Sequence, residues 1–332
     1  MFEFRQRLEQ FLLEKKQTNE IEQLTPDAST REYFRVKWQE KSAIACVYPL
    51  DELGETQFNA CLDVTNVFRA SGLPVAEIFS FDAIKKIIFH EDFGDEILRV
   101  VLENSVDKET LINQAISLIA KIQGATETAF ERNSICSKLK FNTEKLLWEL
   151  NFFKTHYFES LQNTPLSESE NLELEEEFTE LSIELETRAK VLCHRDFHAA
   201  NLMVFGDELK IIDHQDARIG SVAYDLVSLL LDRVTETPVD NWLKSKKRFF
   251  LEEREKLGLE TINFEDFDYE SQLMTVQRCL KAIGTFSFQS ATRGKTHFIQ
   301  YINPMFQIVL LACQKLNKFP VLQKTIENQI EN

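Results

Sequence analysis

Two short polar clusters, each set against apolar runs, hold the residues best suited to chemistry. The first, His194-Arg195-Asp196-Phe197-His198-Ala199-Ala200-Asn201, follows Val191-Leu192-Cys193 and precedes Leu202-Met203-Val204. The second, Asp213-His214-Gln215-Asp216, follows Lys210-Ile211-Ile212. Such a pattern predicts a loop that runs into a hairpin. A carboxylate, an amide five residues later and a second carboxylate behind a short strand suit transfer of a phosphoryl group to a hydroxyl. One carboxylate must sit beside the acceptor hydroxyl to take or orient its proton, and Asp196 is the candidate. Mg²⁺ offsets the charge on phosphate oxygens through hard oxygen ligands, which an amide carbonyl and a carboxylate supply, so Asn201 and Asp213 are the candidate metal ligands.

The spacing His-Arg-Asp-x-x-x-x-Asn resembles the catalytic loop of eukaryotic-type kinases, and an Asp behind a short apolar strand takes the place of their second metal ligand. The tripeptide alone would carry little weight; three separate elements agree here. Only ten residues separate Asp213 from Tyr224, too few for the activation segment of a protein kinase, so a small-molecule acceptor is expected. His194 is expected to brace the loop. His198 reads equally as a contact to the acceptor or as a cap on the loop. Gln215, Asp216 and Arg218 follow the candidate metal ligand directly and are expected to line the acceptor side, where amides and carboxylates pair with sugar hydroxyls. Arg278, on a later helix, fits either the far wall of that site or a structural salt bridge.

The 332 residues carry 38 Lys+Arg against 54 Asp+Glu, a formal charge of −16. That balance argues against a nucleic-acid partner or an anionic membrane surface. The six Cys are scattered without a CxxC pair, which predicts reduced, buried thiols rather than a zinc site or disulfides. No apolar run reaches the roughly 18 residues of a spanning helix, and the amphipathic start, with Phe4, Leu8, Phe11 and Leu12 in register, is no signal peptide. A cytoplasmic location is therefore expected, and the oligomeric state is left open.

The elements that must position the clusters change character along the chain. After the first helix, Tyr33–Trp38 and Ser42–Tyr48 predict a hairpin, Thr56–Ala70 a helix, and Ala76–Phe81 with Lys86–His90 two more strands. From Glu96 onward the periods are helical, at 97–103, 109–123, 142–158, 169–188, 239–256, 270–288 and 303–316. The glutamates of 169–188 read as a solvated face. The fold class is α+β: a small β-rich lobe, residues 1–93 with its sheet from about residue 20, joined near Glu91–Asp95 to a larger helical lobe, residues 94–332.

HRDFHAAN at 194–201, Ile212-Asp213 and Tyr224-Asp225-Leu226 together resemble the aminoglycoside phosphotransferase and choline kinase superfamily, across nearly the whole chain. Within it, segments 27–36, 91–95 and 277–286 are similar to the bacterial anomeric kinases of N-acetylmuramate and N-acetylglucosamine in cell-wall recycling. The resemblance implies a protein-kinase-like two-lobed fold with ATP as co-substrate, Mg²⁺ as cofactor and a sugar as acceptor. It also implies that Asp225 braces the catalytic loop by hydrogen bonds, and that the backbone of Glu91, Asp92 and Phe93 holds the adenine.

Two departures accompany it. No GxGxxG precedes the hairpin; instead Ser29, Thr30 and Arg31 sit in a turn that is either an anion-binding nest for nucleotide phosphates or an ordinary hairpin turn. Cys46 stands where kinases place a third-strand Lys, which leaves Arg31 or Arg35 to supply the positive charge. An aminoglycoside acceptor would call for several converging acidic groups, and choline for an aromatic cage of which only Phe197 and Tyr224 are near. The reading from another class is a catalytically inactive nucleotide-binding scaffold.

Overall fold

Alternating burial in the first hundred residues builds a sheet. In the computed structural model, which describes residues 2–18, 20–24 and 30–330, five antiparallel strands lie in the order β1-β2-β3-β5-β4. They are β1 (Ile21–Leu24), β2 (Glu32–Trp38), β3 (Lys41–Val47), β4 (Ile78–Asp82) and β5 (Ile87–Glu91). Phe34, Val36 and Trp38 of β2 with Ala43, Ala45 and Val47 of β3 face Leu8, Phe11 and Leu12 of helix α1 (Phe2–Glu14). Those three α1 side chains have no exposed surface, and each contributes about 1.5–3 kcal/mol. Cys46, Tyr48 and Ile88 turn to the other face and meet Phe58 and Cys61 of helix α2 (Glu52–Ala70). This helix starts four residues before the apolar period suggests, because Asp51 caps it: its carboxylate accepts the Gly54 N–H at 2.7 Å.

The chain divides into two compact units. The first comprises Met1–Lys108, Thr128–Cys136 and Ala200–Asp216, the second Glu109–Glu127, Ser137–Ala199 and Ala217–Asn332. In the first unit α3 (Leu98–Asn104) follows the sheet, and the hairpin of β7 (Leu202–Phe205) and β8 (Glu208–Ile211) joins it through backbone bridges Val75↔Ile211 and Ile97↔Met203. Ala76, Phe93 and Met203 pack together there, with Ile97 and Ile212 against them.

The second unit holds most of α4 (Lys108–Gly124) and α7 (Thr143–Lys154), with the short α5 (Thr126–Glu131) and α6 (Ile135–Lys138) lying across the unit boundaries. It continues with α8 (Glu168–Thr187), α9 (Tyr224–Leu231), α10 (Asp240–Lys256), α11 (Phe264–Arg293), α12 (Ile302–Leu316) and α13 (Pro320–Ile330). A two-stranded ladder of β6 (Ala189–Cys193) and β9 (Arg218–Ser221) lies among them. Residues 142–158, read as one helix, change to a π-helical turn at Thr155–Leu161.

Helix α11 extends the expected 270–288 at both ends, starting at an Asn263 cap and ending at Gly294 in the left-handed conformation. The polar turn Phe264-Glu265-Asp266 does not continue the apolar stripe, so only the cap announces it. The α8 glutamates are not all a solvated face: Glu175 pairs with Lys154 at 2.6 Å, and Glu177 accepts the N–H groups of Val321 and Leu322 in the first turn of α13. All six cysteines are buried and none is in a disulfide among the described residues. Among the described residues, no helix is long and apolar enough to cross a membrane.

At Gly284 a methyl group would lie 2.7 Å from the Cα of Phe153, so α11 touches the backbone of α7 there. Gly284→Ala is expected to lower the unfolding free energy by about 1–3 kcal/mol in urea titrations, since the obstacle is main chain and cannot rotate away.

Candidate active site

The second unit carries the front of the polar loop. Strand β6 ends at Cys193, and the chain turns at His194-Arg195-Asp196 with Arg195 at φ 86°, a left-handed conformation that costs a non-glycine residue about 1–3 kcal/mol. Asp225, buried in the first turn of α9, holds the turn: its carboxylate accepts the N–H of His194 at 2.7 Å and of Arg195 at 3.1 Å. Burial raises the Asp225 pKa, against the pull of His194 and of those two amides. His194 is fully buried and meets the edge of Phe197 at 5.6 Å between ring centroids.

Asp196 remains 33% exposed, and its Oδ1 accepts a hydrogen bond from Lys281 Nζ on α11 at 3.1 Å. Arg195 Nε lies 3.9 Å from Oδ2. Burial pushes the Asp196 carboxyl up, but Lys281, Arg195, Arg278 and His198 hold it well below the usual carboxylate range. The group is therefore ionised at neutral pH, the state a proton acceptor needs.

Around it, the buried Arg278 donates to Ser228 Oγ at 2.6 Å and lies over the Tyr224 ring. Arg218 opens β9 opposite Cys193 and lies over Phe141, while His198 is partly buried beside Asp196. Lys281 and Glu149 are the residues of this cluster that motif reading passed over. Lys281 stands one turn beyond Arg278 and on the same helical face, a spacing that was visible in the sequence. Nothing in the sequence pointed to Glu149.

The first unit carries the other part. Asn201 and Asp213 flank the β7–β8 hairpin, whose first pair is Leu202↔Ile211. The Asn201 carbonyl accepts the Ile212 N–H at 3.1 Å, so hairpin register sets the two candidate metal ligands on adjacent chain segments. Asp213, at φ 61°, is partly exposed, and its Oδ1 accepts from Arg31 at 2.8 Å and from Gln215 Nε2 at 3.1 Å. An amide and a carboxylate, both oxygen donors and both in reach of solvent, fit a hard divalent cation that keeps water and phosphate in its shell. His214 points elsewhere: its Nε2 pairs with Thr65 Oγ1 of α2 at 2.8 Å, and its ring stacks on Phe68.

Of the two arginines considered for the missing third-strand Lys, Arg31 stands at Asp213, while Arg35 is engaged by Asp92 at 2.7 Å and Asp95 at 2.7 Å. Asp92 also accepts from Ser42 and from the Gly94 N–H, so its carboxylate is committed within the sheet's end. Burial pushes the Cys46 thiol up to about 12, so the residue at the Lys position carries no charge. Thr30 is exposed, Asp216 and Glu91 are partly buried, and the Glu91 N–H is taken by the Glu77 carbonyl at 2.8 Å. Ser29, with the rest of 25–29, lies outside the described residues.

A model of the phosphotransferase enzyme family matches residues 20–259, which include both clusters and the sheet. The chain belongs to that family. This phosphotransferase is 26% identical over 277 residues to an N-acetylmuramate/N-acetylglucosamine kinase of Neisseria meningitidis serogroup B, covering 82% of this chain and 79% of that one. It is 26% identical over 290 residues to the kinase of the same name from Pseudomonas aeruginosa, covering 86% and 81%.

Among solved structures it resembles a microcompartment-associated aminopropanol kinase, with TM-score 0.65, 15% identity and 93% and 97% of the two chains covered. It also resembles an ADP-bound aminoglycoside phosphotransferase, with TM-score 0.58, 14% identity and 91% and 97% coverage. The fold of the phosphotransferase is thus the protein-kinase-like one, with a β-sheet N-terminal region and a mostly helical remainder.

Replacing Asp225 by Ala strands two buried N–H groups, with an expected loss of about 2–5 kcal/mol in denaturant unfolding. Asp225→Asn keeps one acceptor oxygen and is expected to lose less than half of that, which the same titration measures.

Proposed function

We propose that this phosphotransferase moves the γ-phosphoryl group of ATP to the anomeric hydroxyl of an N-acetylated amino sugar, N-acetylmuramate or N-acetylglucosamine. The named relatives support the acceptor, since both extended matches bear that activity in their names. The observation that carries the chemistry is Asp196, an accessible carboxylate held ionised by neighbouring cations on a loop whose backbone is tied down.

In this reading Asp196 orients the acceptor hydroxyl and takes its proton as the oxygen attacks phosphorus. Asn201 and Asp213 would hold Mg²⁺, which supplies positive charge to the phosphate oxygens when bound. Arg31, buried between the Tyr33 and Tyr48 rings and in contact with Asp213, would share that task in place of the third-strand Lys. Thr30 and Ser29 would meet phosphate oxygens. The backbone of Glu91, Asp92 and Phe93 would hold the adenine against the apolar group of Ala76, Phe93, Met203 and Ile212. Residues 1–93 would thus serve the nucleotide and 94–332 the catalytic loop and acceptor, with His198, Gln215, Asp216, Arg218 and Arg278 on the acceptor side.

Phosphorylation at the anomeric carbon removes the reducing end, so loss of reducing sugar together with ADP release distinguishes it from transfer to any other hydroxyl. Both sugars are expected to be consumed in that way. Asp196→Asn is expected to lower kcat by about 10³-fold with the KM for ATP little changed. Asp213→Asn is expected instead to raise the Mg²⁺ concentration needed for half-maximal rate. Nucleotide binding without turnover of either sugar would favour the inactive scaffold.

A further inference from the structure

Catalysis at Asp196 requires that its carboxylate keep a fixed orientation toward the acceptor. In the second unit Oδ1 of Asp196 is occupied by Lys281 Nζ at 3.1 Å. Lys281 is only 15% exposed and comes from α11, thirty residues long and in backbone contact with α7 at Gly284, one turn beyond it. Burial and the hydrogen bond to Asp196 leave the ammonium little freedom.

The groups that face the pair come from every neighbouring element: Arg195 and His198 on the catalytic loop, Glu149 on α7 with Lys145 beside it, Tyr224 on α9 and Arg278 on α11. Glu149 is already engaged by Gln277 Nε2 at 2.8 Å and by Lys145 at 3.6 Å, and Arg278 by Ser228. The hydrogen bond from Lys281 to a carboxylate therefore goes to Asp196, in a cluster where cations outnumber carboxylates.

We propose that Lys281 is a positioning residue for the transfer: by holding Oδ1 it fixes the orientation of the Asp196 carboxylate toward the acceptor hydroxyl. The inference rests on the reading of Asp196 as the proton acceptor. Burial and Arg278 bring the Lys281 ammonium down to about 8, although Asp196 and Glu149 oppose them. Its charge is complete below that pH and fades above it. The pair thus sets both limbs of a pH profile: Asp196 gains a proton and fails at low pH, and Lys281 loses one and releases it at high pH.

The test measures kcat and kcat/KM for N-acetylmuramate from pH 5 to 10 in wild type, Lys281→Gln, Lys281→Arg and Asp196→Asn, with thermal unfolding and ATP binding of each. Lys281→Gln is expected to lose about 10–100-fold in kcat, with the limb near pH 8 absent. Lys281→Arg keeps the charge and is expected to recover to within about threefold of wild type, with its alkaline limb displaced upward beyond pH 9. Should Lys281→Gln unfold, the arginine variant alone decides by the position of that limb. Wild-type rates and limbs in Lys281→Gln, or an arginine variant that folds yet keeps the alkaline limb near pH 8, overturn the inference while leaving Asp196 in its role. Full activity in Asp196→Asn, or no turnover by wild type, overturns the reading beneath it and the inference with it.

Discussion

A single buried carboxylate fixes the turn that carries Asp196. Asp225 accepts the successive backbone N–H groups of His194 and Arg195, and so ties down the turn in which Arg195 is left-handed. Placing that carboxylate in the first turn of α9 gives it a rigid mount, while the fully buried Tyr224 and Leu226 beside it anchor the helix. The cost of burying Asp225 is offset by the dipoles of the amides it serves. Loss of this contact would let Asp196 wander, whatever became of the other candidate residues.

Charge is managed separately in each unit. The chain as a whole is strongly acidic, yet the candidate carboxylates each meet a cation: Asp196 faces Lys281 and Arg195 in the second unit, and Asp213 faces Arg31 in the first. Opposite charges at such distances favour the ionised form of Asp196, which a proton acceptor needs. Arg35, by contrast, is spent on Asp92 and Asp95 and belongs to the end of the sheet. The difference between two arginines four residues apart could not be read from their spacing; it follows from Arg31 standing before β2 and Arg35 within it.

Much of the architecture was legible because burial leaves a period. The hairpin of β2 and β3 and the long stripes of α4, α8 and α12 stand close to where the apolar positions predict them. Boundaries drifted where a polar cap rather than an apolar residue starts the element, as at Asp51 and Asn263. Strand β1 and helix α13 escaped notice: four residues are too few to show a period, and α13 is started by Glu177 from a distant helix. The same glutamate shows why a run of like charges is not always a solvated face.

By itself the sequence determined the chemistry. The order of a histidine, two carboxylates and an amide around short apolar runs points to phosphoryl transfer, because a proton acceptor and hard oxygen donors suit that reaction. Tertiary structure alone decided which charges accompany them. Lys281 lies 85 residues from Asp196, Arg31 lies 182 from Asp213 and Glu149 lies 128 from Gln277. No local rule connects such pairs. Coulomb forces and hydrogen bonds act through space, and distance in space is set only when helices and strands have packed.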